Sequence, residues 1–200
     1  RIEGGVVVTK YDHSKGPIGN LKIVEAGHPV PDENSYRGTE EAINAVSNLT
    51  SDDMVLFLVS GGGSALFEKP LIPTMDMENL TSQLLASGAS ITEMNTIRKR
   101  MSAVKGGKFA LICKPARVFS IVLSDIIGDP LDLIASGPAY PDKSTKEEAI
   151  SIAEKYNLTL TPLMKELLEK ETPKSLDNTE TYVTGSVKEL CASASITSEK

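Results

Sequence analysis

The apolar positions of this chain fall into short unbroken runs, separated by longer stretches where they recur every three or four residues. GVVVTK (5–10) and LKIVE (21–25) read as two short strands parted by the turn-rich DHSKGPIGN. A polar loop, GHPVPDENS, then leads into a predicted helix with Ala42, Ala45, Val46 and Leu49 on one face. MVLFLV (54–59) is apolar at every position, which predicts a strand buried on both sides, as in a parallel sheet covered by helices. From Asn79 to Phe109 the pattern is helical, interrupted at Ser87-Gly88 and closed by Lys105-Gly106-Gly107 as a cationic last turn followed by glycine. RVFSIVLS is another near-continuous strand, ending at Asp125. Ser144 and Glu147 form a capping-box pair before a helix with Ala149, Ile152, Ala153 and Tyr156 on one face. Thr161-Pro162 opens a further helix, and TYVTG is a last strand before the helical VKELCASA.

Strands that alternate with helices need crossover connections, so the fold class expected is α/β, a mainly parallel sheet with helices on both faces. A mixed sheet is the alternative, because the first two strands are close enough in sequence to pair antiparallel. With 200 residues the chain can bury one sizeable core. The apolar run at the start, only four residues after Arg1, suggests an excerpt of a longer protein.

Composition narrows the functional classes. A hydrophobic share of 40% with 24% charged residues is that of an ordinary globular protein, and no apolar run approaches the ~20 residues of a membrane span. The net charge of −6 disfavours a nucleic-acid partner, and the basic residues are not interleaved with aromatics. Two distant cysteines, Cys113 and Cys191, suit a reducing, cytoplasmic setting better than a disulfide framework.

In an open parallel sheet ligands bind beyond the carboxyl ends of the strands, and two such ends carry candidate chemistry. After MVLFLV comes Ser60-Gly61-Gly62-Gly63-Ser64, where glycines let several backbone N–H groups converge and the two hydroxyls complete a phosphate or carboxylate cradle. The nucleotide fingerprints fail: G-x-G-x-x-G needs glycine where Leu66 stands, and around Gly107-Lys108 the P-loop pattern is broken by Ser102 and Phe109. A tight turn that needs glycine only for packing explains the same residues about equally well. At the second strand end stand Asp125 and Asp129, with Asp132 and the pair Ser136-Gly137 beyond. Carboxylates there suit Mg²⁺, which takes one or two of them with water and phosphate oxygens; a cap or turn role is the alternative. A third segment, NTIRKRMSAVK, gathers Arg98, Lys99, Arg100 and Lys105, and the seven-residue spacing predicts Arg98 and Lys105 on one helical face, flanking an anion. A solvated helix face is the plainer reading. His28, in the rigid GHPVP loop, is a candidate acid, base or ligand contact without a sequence partner.

Taken together and in this order, EAGHPVPDENS, LFLVSGGGSAL, NTIRKRMSAVKGG and LSDIIGDPLDLIASGP resemble the type II glycerate kinases, the glycerate 2-kinases whose C-terminal region is called MOFRL. The resemblance runs from Glu25 to Asp142. It implies a Rossmann-like N-terminal domain, of which residues 1–200 would be the greater part without the C-terminal MOFRL domain. It also implies ATP-dependent phosphorylation of D-glycerate to 2-phosphoglycerate with Mg²⁺. Small-molecule substrates rather than nucleic acid or membrane are implied as partners, and a homodimer stays open. On this resemblance Ser60 to Ser64, with His28, Ser136 and Gly137, hold glycerate or phosphate. Asp125 or Asp129 binds Mg²⁺ or orients the substrate hydroxyl, and Arg98 and Lys105 neutralise carboxylate or phosphate. Some members are labelled hydroxypyruvate reductases, against which the missing dinucleotide fingerprint argues. Arg100 stands where the family often has His, so no proton-transfer role is expected there. The family's lysine in a Gly-Lys-Ala segment and its C-terminal arginine are not among these residues, so the segment alone is expected to be inactive. A binding module that holds the same anion without chemistry is the competing reading.

Overall fold

A computed structural model of the protein describes residues 2–124 and 130–185. Strand β1 (Gly5–Lys10) pairs with β2 (Leu21–Ala26) in parallel, in register from Gly5 opposite Leu21 to Lys10 opposite Ala26. The antiparallel alternative is therefore excluded. Helix α1 (Glu33–Val46) packs over both strands, its start fixed by Asp32, whose carboxylate accepts from the Ser35 amide while Ser35 closes the capping box.

The second sheet has the order β3 (Met54–Val59), β4 (Arg117–Leu123), β5 (Thr179–Thr184), all parallel. Between β3 and β4 lie α2 (Gly63–Leu66), α3 (Thr74–Ala86), α4 (Ile91–Met101) and α5 (Lys108–Ile112). Between β4 and β5 lie a 3₁₀ turn (Ile134–Ser136), α6 (Lys146–Lys155) and α7 (Pro162–Leu168). This is the α/β architecture expected: the parallel pairs β3–β4 and β4–β5 are each joined through helices, whereas β1 and β2 are joined by residues 11–20 without a helix.

Three local expectations are corrected. First, MVLFLV is not buried on both sides among the described residues: Val55, Phe57 and Val59 face the helices, while Met54, Leu56 and Leu58 are 68%, 53% and 66% exposed. Leu123 and Tyr182 extend this open apolar face across the sheet. Second, the cap of α6 is Thr145 with Glu148, one residue later than expected, because the Ser144 hydroxyl donates to Asp142 instead. Third, the helical stretch ends at Met101, with Ser102 extended, so Lys105 lies beyond α4 in a turn and does not continue the face of Arg98.

The interior has two main parts. Met77, Leu80 and Leu84 of α3 meet Ile97 and Met101 of α4 and the apolar faces of α6 and α7. The aromatic rings of Phe57, Phe67 and Phe109 pack mutually, with centroids 5.0–5.4 Å apart, between β3 and α5. This second part fixes the carboxyl end of β3, from which the glycine turn springs.

Candidate functional site

The chain leaves β3 at Val59 and turns through Ser60, Gly61 and Gly62 into α2, which is a single turn of helix. Gly62 sits at φ +88°, a left-handed conformation costly for any side chain, and a Cβ there would stand 2.9 Å from the His28 ring. A Cβ on Gly63 would meet that of Ala135 at 2.7 Å, so glycine is required for close approach as well as for turning. The turn is thus clasped from two sides, by His28 from the loop after β2 and by the Ala135-Ser136-Gly137 segment. All three residues of that segment have positive φ: +51°, +62° and +62°.

A polar line joins these pieces. The Ser64 and Ser136 hydroxyl oxygens are 3.2 Å apart, and the Ser136 hydroxyl donates to Asn95 Oδ1 on α4 at 3.3 Å. The amides of Gly106 and Gly107 donate to the carbonyls of Ser136 and Gly137 at 3.0 and 2.7 Å. Four segments far apart in sequence therefore meet: His28, residues 60–64, residues 95–107 and residues 135–137. Within the glycine turn the Gly63 amide closes onto the Ser60 carbonyl at 3.3 Å. The amides of Gly61, Gly62 and Ser64 have no backbone partner among the described residues.

The cations of the NTIRKR segment are mostly not a solvated face. Lys99 is buried and pairs with Asp142 at 3.1 Å, with Asp132 3.7 Å away. The Arg100 guanidinium donates to the Thr96 carbonyl and to the hydroxyl and carbonyl of Ser144, with Glu171 at 3.6 Å. Lys108 donates to the carbonyls of Lys99, Arg100 and Ser102, the otherwise unpaired end of α4. Burial depresses its ammonium to about 8, which these three carbonyl acceptors oppose by favouring the charged form. Asp142 closes the layer: it accepts from Lys99, Ser144 and Thr172 and is 1% exposed. Burial alone would raise its carboxyl, but the charge of Lys99 and the hydroxyls of Thr172 and Ser144 hold it below the usual range.

Arg98 differs from all of these. It is half-buried and forms no ion pair among the described residues; its buried Nε has no hydrogen-bond partner there, a feature it shares with Arg100 Nε. It lies one helical turn from Asn95, on the face of α4 that reaches the glycine turn through Ser136. Lys105 is fully buried, donating to the carbonyls of Ser64 and Phe67 at 2.8 and 3.3 Å, with Glu68 at 3.5 Å. Its depressed pKa comes first from burial, opposed by Glu68, with Arg98 close enough to lower it further.

Of the residues singled out in the sequence, His28, Ser60, Gly61, Gly62, Gly63, Ser64, Ser136 and Gly137 are gathered at one place, and Arg98 stands one helical turn from Asn95, which binds Ser136. Lys105 is there too, but behind the turn. Asp125 and Asp129 lie outside the described residues. No group of three or more metal-binding side chains occurs among the described residues. Reading the sequence missed Asn95, Glu68 and Asp142. Asn95 had a usable signal, a polar residue three before Arg98 and beside the Met94, Ile97, Met101 stripe. Glu68 had none, since only tertiary packing makes it a buried charge.

Residues 1–169 match the family described as "Domain of unknown function (DUF4147)". The chain belongs to the DUF4147 family. Across its whole length it is 52% identical to the D-glycerate 2-kinase of Thermotoga maritima, of which it covers 49%. It is 44% identical to a protein of Agrobacterium vitis described as a putative hydroxypyruvate reductase, over 82% of this chain and 43% of that one. The crystal structure of the Thermotoga maritima glycerate kinase superposes with a TM-score of 0.93, covering 96% of this chain and 47% of that one, at 52% identity. The chain spans about half the length of the curated relatives it matches. Among the described residues no helix is long and apolar enough to cross a membrane.

Proposed function

We propose that this DUF4147 chain is the anion-holding part of a glycerate 2-kinase, and that the full-length protein transfers the γ-phosphoryl group of ATP to the 2-hydroxyl of D-glycerate. The observation that carries this reading is that, among the described residues, three amides of one turn, at Gly61, Gly62 and Ser64, have no backbone partner, while Arg98, on the Asn95 face of α4, has no ion pair. Phosphoryl transfer asks the protein chiefly to position reactants and to neutralise charge, and amides with a guanidinium do both. The glycine turn, with the hydroxyls of Ser60 and Ser64, holds an anionic group of the substrate, His28 covers the turn, and Arg98 supplies the neutralising charge.

Mg²⁺ fits the chemistry of the donor set that follows β4. Two carboxylates, Asp125 and Asp129, suit an ion that takes few protein ligands and completes its shell with water and phosphate oxygens. When bound, it would draw charge from the transferring phosphoryl group. At about half the relatives' length, the 200 residues make up most of the N-terminal domain and do not turn over alone. The identities to glycerate kinases support the reading over the reductase label, for which no dinucleotide-binding glycine pattern is present.

The test is an assay of the full-length protein with ATP, Mg²⁺ and D-glycerate, with the position of the new phosphate read by NMR. Formation of 2-phosphoglycerate is expected. Formation of the 3-phosphate, or ligand binding without turnover, would overturn the assignment, and turnover by the 200 residues alone would overturn their inactivity.

A further inference from the structure

The side chain of Lys105 is the least expected component of the site. A lysine near an anion site invites the role of ligand contact, yet this one is 0% exposed and its three ammonium hydrogens are committed. Two reach the carbonyls of Ser64 and Phe67 and the third faces Glu68, itself 1% exposed. The two carbonyls belong to the end of α2, where the last C=O groups of a helix have no partner within it. A four-residue helix consists almost wholly of such ends, so a buried donor is needed for it to persist. A cation at this end also opposes the partial negative charge of the aligned carbonyls. Among the described residues neither Glu68 oxygen has a hydrogen-bond partner, so at 3.5 Å its carboxylate acts by balancing the ammonium charge. Ser64 is the shared element: its carbonyl accepts from Lys105, its hydroxyl meets Ser136, and its amide is open to the ligand side.

We propose that Lys105 is a positioning residue: held by Glu68, its buried ammonium fastens α2 through the carbonyls of Ser64 and Phe67 and thereby sets where Ser64 and the open amides stand. The inference rests on the reading of the glycine turn as the substrate's anion site. It replaces direct neutralisation of the ligand by Lys105, a role left to Arg98.

The experiment uses the full-length protein with Glu68→Gln, the paired Lys105→Met with Glu68→Leu, Ser64→Ala, and the combination of Ser64→Ala with the pair. Thermal unfolding, amide hydrogen exchange over residues 61–67, and KM and kcat for ATP and D-glycerate are measured. The pair, which removes both charges, is expected to fold cooperatively and to exchange faster than wild type at these amides. It raises KM about tenfold or more for the same substrate that Ser64→Ala affects, because a displaced contact weakens binding as a deleted one does. Adding Ser64→Ala to the pair is expected to cost less than the product of the separate effects. Glu68→Gln shifts exchange and KM in the same direction but by less. Unchanged exchange with fully multiplicative losses would make Lys105 a ligand contact and overturn the proposal. Faster exchange with unchanged KM would reduce it to a stability role and overturn it too. If Ser64→Ala alone leaves both KM values untouched, it is the anion-site reading that fails, and exchange still decides the fastening. Should the pair not fold, Glu68→Gln decides by the same exchange and KM.

Discussion

Two polar regions lie side by side on α4 and obey opposite rules. In the layer around Asp142 the polar groups of Lys99, Ser144 and Thr172 are paired with one another away from water. At the glycine turn, the amides of Gly61, Gly62 and Ser64 have no backbone partner among the described residues, and Arg98 on the same helix forms no ion pair among them. An unpaired polar group is least costly where water or a ligand can reach it, because a buried orphan costs about 1–3 kcal/mol. The paired layer is therefore a scaffold whose removal should harm stability. The open region should harm ligand binding and leave the fold nearly intact.

Asp142→Asn gives the largest expected effect, since it leaves Lys99 buried with only the more distant and partly exposed Asp132 as countercharge. Loss of one partner of a buried pair costs about 3–5 kcal/mol, to be read as a lower urea midpoint at neutral pH. An unchanged midpoint would remove the scaffold from the comparison. The pH dependence follows from the same group. Its folded pKa lies below the unfolded one, so its contribution is complete above the unfolded value of about 3.9 and is lost as pH falls through the folded value. The wild type should lose stability on acidification through that window, and Asp142→Asn should lose correspondingly less.

Gly62→Val crosses the boundary between the two regions. The left-handed φ of +88° costs a β-branched residue about 1–3 kcal/mol, and the new side chain pushes on the His28 ring. Substrate binding by the full-length protein, followed by calorimetry, should fall by more than the stability loss; wild-type affinity would end the case for the cradle. Arg98→Ala should act on ligand alone. The loss of a hydrogen bond to a charged group, about 1.5–3 kcal/mol, corresponds to roughly a 10- to 100-fold rise in KM with the urea midpoint almost unmoved. A large stability loss with unchanged KM would place Arg98 with the scaffold. Ser60→Ala is the smallest: one exposed hydroxyl at the rim, about 0.5–1.5 kcal/mol in binding, and no detectable change in stability.

The legible part of the fold is the part with short-range causes. Strand positions, the cap at Thr161, and the break after Ala86 follow from residues within a few positions of each other. The burial of MVLFLV was misread because an all-apolar strand looks the same whether or not both sheet faces are covered. The end of α4 was misread because Lys105 is attractive as a last-turn cation, while the structure turns it inward toward α2. At the site, the glycine turn was visible because only glycine accepts that conformation and that approach. Glu68 was invisible because a carboxylate in FEKP carries no mark of burial.

By itself, the sequence determined the α/β class, the parallel crossovers, the family and the candidate segments. Periodicity, glycine at a strand end and the order of motifs are properties of the chain read in one dimension. Only the tertiary structure decided which cations are scaffold and which remain for a ligand. That assignment depends on burial and on carbonyls and carboxylates distant in sequence, 41 residues for Lys105 with Ser64 and 43 for Lys99 with Asp142. Charge is written in the residue, but its pairing is a distance in space, and the fold sets that distance.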